Sequence, residues 1–300
     1  MYNYKIFNLN IESQFQIRAL NSVKEAFTNP NLKIIIAKTP DNLSRPIRKK
    51  NVCCQMAENE FLFFNEKLGL RYYVKDGKEI IIDQDFMKDE DKLSLFLLGS
   101  VMGATLYMKN YLPMHASTIL TGKGAVMFIG NSGVGKSTLA YAFYKRGYRV
   151  ITDDIAPIKM ENKKLNLFAS YPMMKLWEDS IKLNQETGDF IQVRDSLNKY
   201  YVSYEQLDQG KAIPIYKMYH VRTHNDEKIL TIEKTLGKAR LKIIKANSYR
   251  KSYIQGLNKQ STFFKIAVEL AKLPMTTITR PQRTEDFKHY IDVIEKDILK

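Results

Sequence analysis

Short apolar runs separated by polar, turn-forming breaks fill the first ninety residues, a spacing that predicts strands rather than helices. Residues 4–11, 32–37, 60–64, 70–74 and 79–82 each read as one strand. Between the last two stands Lys75-Asp76-Gly77-Lys78, and an Asp-Gly pair between apolar runs signals a tight hairpin. The period changes near residue 88. Asp89, Glu90 and Asp91 precede an apolar stretch over 93–108, and acidic side chains favour a helix start because they meet the positive end of its dipole. A domain boundary is expected within 105–112, giving a β-rich domain over 1–109 and a second domain over 110–300.

Farther along, apolar runs at 114–120 and 125–129 flank Thr121-Gly122-Lys123-Gly124 and predict another hairpin. Its second strand runs straight into a glycine-rich segment, Gly130 to Thr138. Helix formers follow over 137–147, and Gly147 ends them as a left-handed cap would. Next come a strand over 148–152, expected beside the strand that enters the glycine segment, then Asp153-Asp154, then paired strands at 155–160 and 165–169. Strands at 213–221, 229–232 and 276–279, helices at 238–246 and 261–273, and a helix opened by Thr284-Glu285-Asp286 complete the pattern. Hairpins interrupt the strand–helix alternation, so the expected class is α/β on a mixed sheet.

The glycine segment carries the clearest chemistry. Gly130-Asn131-Ser132-Gly133-Val134-Gly135-Lys136-Ser137 satisfies the Gly-x4-Gly-Lys-Ser pattern of a P-loop, with a strand before it and a helix after it. Glycines let successive backbone N–H groups turn toward phosphate oxygens, and the following helix adds the positive end of its dipole. Lys136 is placed to reach the terminal phosphates, the Ser137 hydroxyl to ligate Mg²⁺, and Thr138 closes the loop. A chance match in a chain of this length occurs on the order of once in a hundred, given average glycine usage. Asp153 and Asp154 follow the next strand and, as neighbours at a strand end, point to opposite sides. One can face a metal ion while the other orients an attacking hydroxyl and takes its proton. His115, in Met114-His115-Ala116-Ser117, reads by spacing alone as a packed core histidine.

Composition narrows the classes. The 300 residues are 44% hydrophobic, enough to bury a sizeable core. The longest apolar stretch, over 93–107, is broken by Gly99, Ser100 and Gly103 and falls short of a membrane span. With no secretory signal at the start, the cytoplasm is the expected compartment. The two cysteines, Cys53 and Cys54, are adjacent, which suits neither a structural disulfide nor a zinc site. Lys and Arg number 47 against 32 acidic residues, a net charge of +15 that attracts anions. The excess is spread along the chain, with one compact run at 45–50, so a solvated lysine-rich surface is expected rather than a nucleic-acid interface.

Taken together, His115-Ala116-Ser117, the glycine loop, the run over 145–154 ending in Asp153-Asp154, and Tyr171-Pro172-Met173-Met174-Lys175-Leu176-Trp177-Glu178-Asp179 resemble the HPr kinase/phosphorylase-like group of P-loop kinases. The resemblance covers about 110 to 300 and is closest over 115–178. It implies a fold related to phosphoenolpyruvate carboxykinase, with the P-loop on a mixed sheet, ATP and Mg²⁺ as cofactors, and catalytic roles for His115, Lys136 and Asp154. Two departures bear on the site. No counterpart of the family's Glu-Val-Arg-Gly segment is present, so Asp153 is the candidate second Mg²⁺ ligand beside Ser137. Thr279-Arg280-Pro281-Gln282-Arg283 only partly echoes the family's arginine- and proline-rich segment, which implies kinase activity without efficient dephosphorylation and leaves Arg280 as a candidate anion contact. Residues 4–13 are also similar to the small β-rich domain of shorter, divergent members found with ribosomally made peptides, including kinases that phosphorylate a serine of lasso precursor peptides. The expected activity is ATP-dependent transfer to a serine hydroxyl of a peptide or small protein. A kinase for free serine and a nucleotide-binding regulatory module without transfer are the alternatives, and a homo-oligomer is left open.

Overall fold

The computed structural model describes residues 1–183, 191–194, 197–205, 207–224, 230–281 and 287–300. The chain starts with a hairpin, β1 (Tyr2–Ile6) and β2 (Leu9–Ser13), where one strand over 4–11 is expected. Phe7 and Asn8 reverse the chain in two residues with φ of 55° and 59°. A left-handed phenylalanine is unfavourable in isolation. Tertiary packing offsets it, because the Phe7 ring is fully buried and meets Tyr171 edge-on at 6.1 Å.

Six more strands complete the first sheet: β3 (Leu32–Ala37), β4 (Lys49–Lys50), β5 (Cys54–Ala57), β6 (Glu60–Asn65), β7 (Leu70–Lys75) and β8 (Glu79–Asp83). Their order is β1-β2-β3-β8-β7-β6-β5-β4, with β3 parallel to both its neighbours. Asp76 and Gly77 form the expected turn, with φ of 53° and 63°. Next comes α1 (Glu90–Phe96), whose first turn is capped by the Asp89 carboxylate accepting from the Lys92 N–H. It continues through a wide π-type turn at Leu97–Val101 into α2 (Met102–Met108), and every residue from 97 to 108 is buried. A helix apolar on all sides belongs inside a protein, and this one packs between the first sheet and the rest of the chain.

The second half contributes β9 (Leu112–Met114), β10 (Ala116–Thr121), β11 (Gly124–Ile129), α3 (Lys136–Lys145), β12 (Arg149–Thr152), β13 (Ala156–Glu161), β14 (Lys164–Leu167), β15 (Met173–Trp177), α4 (Glu178–Leu183), β16 (Ile191–Arg194), β17 (Leu197–Ser203), β18 (Ile213–His224), β19 (Thr231–Lys234), α5 (Lys238–Ala246), α6 (Ser252–Gly256), α7 (Gln260–Leu270), β20 (Met275–Pro281) and α8 (Phe287–Leu299). The fold is mixed α/β. Most of these strands form one sheet in the order β12-β10-β11-β18-β14-β13-β9, with β20 on the far end of β18 and β19 beside it. Twelve-residue β18 is its spine, parallel to β11 and β20 and antiparallel to β14. Separately, β15, β17 and β16 make a small antiparallel sheet.

Two expectations are corrected here. The strand after the helix, β12, pairs with β10 and not with the strand entering the glycine loop. The β10–β11 hairpin occupies one side of β11 and β18 the other, so no edge of β11 remains for β12. The run over 114–120 is also two strands, broken at His115, because β9 pairs with β13 while β10 pairs with β11 and β12. The expected opening of the last helix at Thr284-Glu285-Asp286 lies outside the described residues.

The loop strand is anchored by aromatic packing. Phe128 on β11 stacks on Phe143 of α3 at 5.6 Å and on Tyr219 of β18 at 5.9 Å, all three fully buried. Replacing Phe128 with Ala removes the middle ring of that stack, and an urea melt should show a loss of about 3–5 kcal/mol. A loss below about 1 kcal/mol would mean that the loop is anchored elsewhere.

Candidate active site

The site forms where three strand ends and one helix start converge. β11 ends at Ile129, the glycine loop follows, and α3 begins at Lys136 with Gly135 in the left-handed conformation at its cap. At the other end of α3, Gly147 at φ 90° lets the Tyr148 N–H reach the Phe143 carbonyl at 3.1 Å and its own N–H reach Tyr144 at 2.9 Å. That double closure is a Schellman cap, and it turns the chain back into β12 toward the same cleft.

Gly130 has φ 153°, and a Cβ there would stand 2.4 Å from the Val221 carbonyl oxygen, so only glycine lets the loop lie against β18. Gly133 has φ 87° with nothing within 4 Å of a Cβ, and faces the open cleft. Ser132, Gly133, Gly135, Lys136, Ser137 and Thr138 line this cleft together with His115, Ser117, Asp153 and Asp154. Asn131 and Val134 take part through their backbone. The Asn131 carbonyl accepts from Lys136, and the Val134 carbonyl accepts from Arg280 at 3.1 Å. The Thr138 hydroxyl is bonded to Ser180 at 2.7 Å.

The Lys136 ammonium is buried and meets three acceptors at 3.0 Å each: the Gly130 carbonyl, the Asn131 carbonyl and His115 Nε2. Burial pulls its pKa down to about 8, against the pull of Asp153 and Asp154 in the other direction. Because an ammonium only donates, His115 Nε2 accepts and Nδ1 carries the ring proton. Nδ1 lies 3.1 Å from both the backbone oxygen and Oδ1 of Asp154. Spacing alone assigned His115 to the core, but the break between β9 and β10 brings it to the cleft as a link between Lys136 and Asp154.

The two carboxylates face opposite ways, as adjacent residues at a strand end should. Asp153 points inward, with Oδ1 accepting from the Ser117 hydroxyl at 2.6 Å and Oδ2 from the Lys175 N–H at 3.0 Å. Asp154 has φ 70°, and the Ile155 N–H bonds across it to the Asp153 carbonyl at 2.9 Å, closing a three-residue γ-turn. This turn is strained, on the order of 1–3 kcal/mol for a non-glycine residue, and strain of that size concentrates at functional positions. It aims the Asp154 carboxylate at His115 and at the Lys175 ammonium, which lies 3.3 Å from Oδ2. Burial alone would raise the Asp154 carboxyl, but Lys175 and His115 hold it well below the ordinary carboxylate range.

Lys175, Lys199, Trp177 and Ser117 were not singled out from sequence as site residues. Lys175 carried a readable signal. It interrupts the apolar run Met173 to Trp177, and a lysine inside a buried strand needs a carboxylate partner. Lys199 is brought opposite Trp177 by the β15–β17 pairing, with its ammonium 5.5 Å from the ring centroid. Arg280 stands on the outer side of the loop against Gly135, also donates to the Pro281 carbonyl at 2.8 Å, and lies over the Tyr290 ring. Cys53 and Cys54 are free thiols that do not line this cleft, and burial pushes Cys54 up to about 11. Among the described residues no cluster of three or more His, Cys, Asp or Glu side chains could cage a metal, and no helix is long and apolar enough to cross a membrane. Mg²⁺ needs no such cage, since one or two carboxylates with substrate phosphates and water satisfy it. Ser137 and Asp153 on one cleft fit that demand.

No family model matches the chain. Among curated relatives, the HPr kinase/phosphorylase of Lachnoclostridium phytofermentans is 28% identical over 87 residues, 28% of each chain. That of Listeria welshimeri is 34% identical over 76 residues, 23% of this chain and 24% of the relative. That of Listeria monocytogenes is 33% identical over 76 residues with the same coverage. The chain therefore matches about a quarter of the length of these relatives. A solved structure of an Hpr(Ser) kinase/phosphatase from Coxiella burnetii aligns with a TM-score of 0.33 at 14% identity, covering 62% of this chain and 90% of that one.

The pairing of Asp154 makes a signed prediction. An unfolded Asp titrates near about 3.9, and the folded value lies well below it, so the pairing stabilises the fold at every pH above the unfolded value. That contribution is lost as pH falls toward the folded value. Asp154→Asn, which keeps the side-chain shape and tolerates positive φ, should be less stable than the parent by a constant margin between pH 6 and 8. Thermal melts should show the margin narrowing steadily below about pH 4. A margin that stays constant into strong acid would remove the pairing from the account.

Proposed function

We propose that this HPr kinase-like chain is an ATP-dependent phosphotransferase that moves the γ-phosphoryl group to a serine hydroxyl of a peptide or small protein. The observation that carries the reading is the unbroken hydrogen-bonded chain from Lys136 through His115 to Asp154 and on to Lys175, all on one cleft with the glycine loop. Bound ATP with Mg²⁺ supplies the transferable phosphoryl group and neutralises part of its charge. The residues present fit that cofactor. The bare face of Gly133 and the start of α3 suit phosphate oxygens, Lys136 suits the terminal phosphates, and Ser137 with Asp153 suits the metal ion.

Each side chain then has a definable task. Asp154, kept ionised at neutral pH by Lys175 and His115, accepts a hydrogen bond from the acceptor hydroxyl, orients it, and takes its proton. A carboxylate with so low a pKa is a weak base, but phosphoryl transfer through a loose transition state asks more for orientation than for basicity. His115 ties the position of Asp154 to that of Lys136, so the acceptor side and the phosphate side of the cleft are set together. Lys136 exchanges at least one of its three protein acceptors for a phosphate oxygen when it acts. Lys175 and Lys199 add positive charge on the side of the cleft opposite the loop.

The similarity of residues 4–13 to the β-rich domain of kinases found with ribosomally made peptides supports a precursor peptide as the acceptor, with the β-rich domain over 1–109 recognising it and the domain over 110–300 carrying the chemistry. Incubation with γ-labelled ATP and Mg²⁺ against serine peptides, HPr and free serine tests the reading. Labelled phosphoserine should form in a peptide or protein, EDTA should abolish it, and Asp154→Asn should slow it by about 10²–10⁴. Full transfer by Asp154→Asn would refute the role of Asp154, and product from free serine alone would make the chain a small-molecule kinase.

A further inference from the structure

The small sheet turns one face to the glycine loop. Its register sets Lys175 opposite Tyr201 and Trp177 opposite Lys199, and alternate residues of a strand share a face. The other face, with Met174 and Val202, is buried in the core beside α3. Lys175, Trp177 and Lys199 therefore stand together on the cleft wall that faces Lys136.

Three lysines and two aspartates line this cleft, so one positive charge is left over. Two of the lysines are accounted for: Lys136 is held by two carbonyls and His115, and Lys175 by Asp154 at 3.3 Å. Lys199 differs. It is half-buried, forms no ion pair among the described residues, and sets its ammonium over the Trp177 ring at 5.5 Å. An aromatic face attracts a cation without neutralising it, and leaves its N–H groups to donate elsewhere. A third cation in an otherwise balanced cleft is unfavourable until an anion joins it.

The position of Lys199 identifies the anion. Its charge acts on both Lys136 and Asp154, lowering the pKa of each. Those two side chains mark the phosphate end and the acceptor end of the transfer, and Lys199 overlooks the interval between them. A loose phosphoryl-transfer transition state spreads its charge over the three oxygens of the group in passage. A lysine suits a moving target, because its ammonium is a compact charge on a flexible stem and not a rigid fork.

We infer that Lys199 is a catalytic residue for the transfer, its ammonium donating to an oxygen of the phosphoryl group in passage between Lys136 and Asp154, with Trp177 as the positioning residue that holds it there. The inference rests on the phosphotransfer reading above. In that step the bond between the γ-phosphorus and the oxygen shared with the β-phosphate breaks, and its electron pair leaves with ADP. The serine oxygen forms the new bond to phosphorus, and the serine proton passes to Asp154. Lys199 exchanges no proton. It binds the group more tightly in transit than at either end, and only such a difference lowers the barrier.

Calorimetry on the intact chain with Mg²⁺ and two probes, ADP alone and ADP with aluminium fluoride, reads that difference without an acceptor. The fluoride complex imitates the phosphoryl group in passage. Lys199→Met, which keeps the stem at a half-buried position, should weaken the fluoride complex at least about thirtyfold and ADP alone less than about threefold. Lys199→Arg keeps the charge and should stay within about tenfold of the parent for the fluoride complex. In transfer assays Lys199→Met should lower kcat by about 10²–10³ with KM for ATP little changed. Trp177→Leu should lower kcat about 2–10-fold in the parent and not further in Lys199→Met, a coupling that a merely structural tryptophan would not show. Equal weakening of both probes by Lys199→Met, or weakening of neither, would overturn the proposal, and phosphoserine formed by the parent would leave the kinase reading standing. A parent that gains no affinity from fluoride would overturn it as well. So would a rise in KM confined to acidic peptides with the fluoride complex unchanged, which would make Lys199 an acceptor contact. Fluoride binding that follows the variants as predicted, with no serine phosphorylated by the parent, would support the role of Lys199 and refute the serine-kinase reading.

Discussion

Lys175 is the residue on which the geometry of the site depends. Its backbone N–H fixes Asp153 and its ammonium fixes Asp154, so one residue of β15 sets two adjacent carboxylates that the chain points in opposite directions. A buried lysine without a partner would lose its charge, and a buried carboxylate likewise. Each keeps the other ionised. Removing either partner from such a pair leaves an uncompensated buried charge, which is the costly case. The small sheet β15-β17-β16 is therefore more than a lid on the cleft, because it carries the cation that holds the strained turn at Asp154 in place.

A second constraint acts through the glycine loop. The loop is pinned from below by the contact between Gly130 and Val221, and from outside by Arg280, whose guanidinium spans the Val134 carbonyl and the backbone of Gly135. Arg280 reaches that position from β20, which pairs with the far end of β18. The long central strand thus couples the loop to the C-terminal segment: the same β18 that blocks β12 from the loop strand also brings Arg280 to it.

Much of this was readable in the chain. Strands at β3, β6, β7 and β8 and the Asp-Gly hairpin follow from alternation and turn chemistry, which are local. The glycine loop and the Asp153-Asp154 pair are likewise contiguous in sequence, and so was the divergence of the two carboxylates. What escaped is nonlocal. The turn at Phe7-Asn8 exists because Tyr171 receives the Phe7 ring, and no window of sequence around residue 7 contains that information. The separation of β12 from β11 depends on which strands claim the two edges of β11. Periodicity alone reads His115 as a core residue, because it says nothing about a break, and only the family resemblance gives it a site role; the break is set by β9 and β10 choosing different partners. Lys175 and Lys199 gain their meaning only from the pairing of β15 with β17.

The central claim is that Lys175 keeps Asp154 charged. Carbon-13 NMR of the Asp154 carboxyl, followed with pH in the intact protein and in Lys175→Met, measures it without requiring any substrate. The account predicts a carboxyl that stays ionised well below the ordinary range in the parent and titrates markedly higher in the variant, where burial acts without its compensating cation. Superimposable titrations in the two proteins would contradict it.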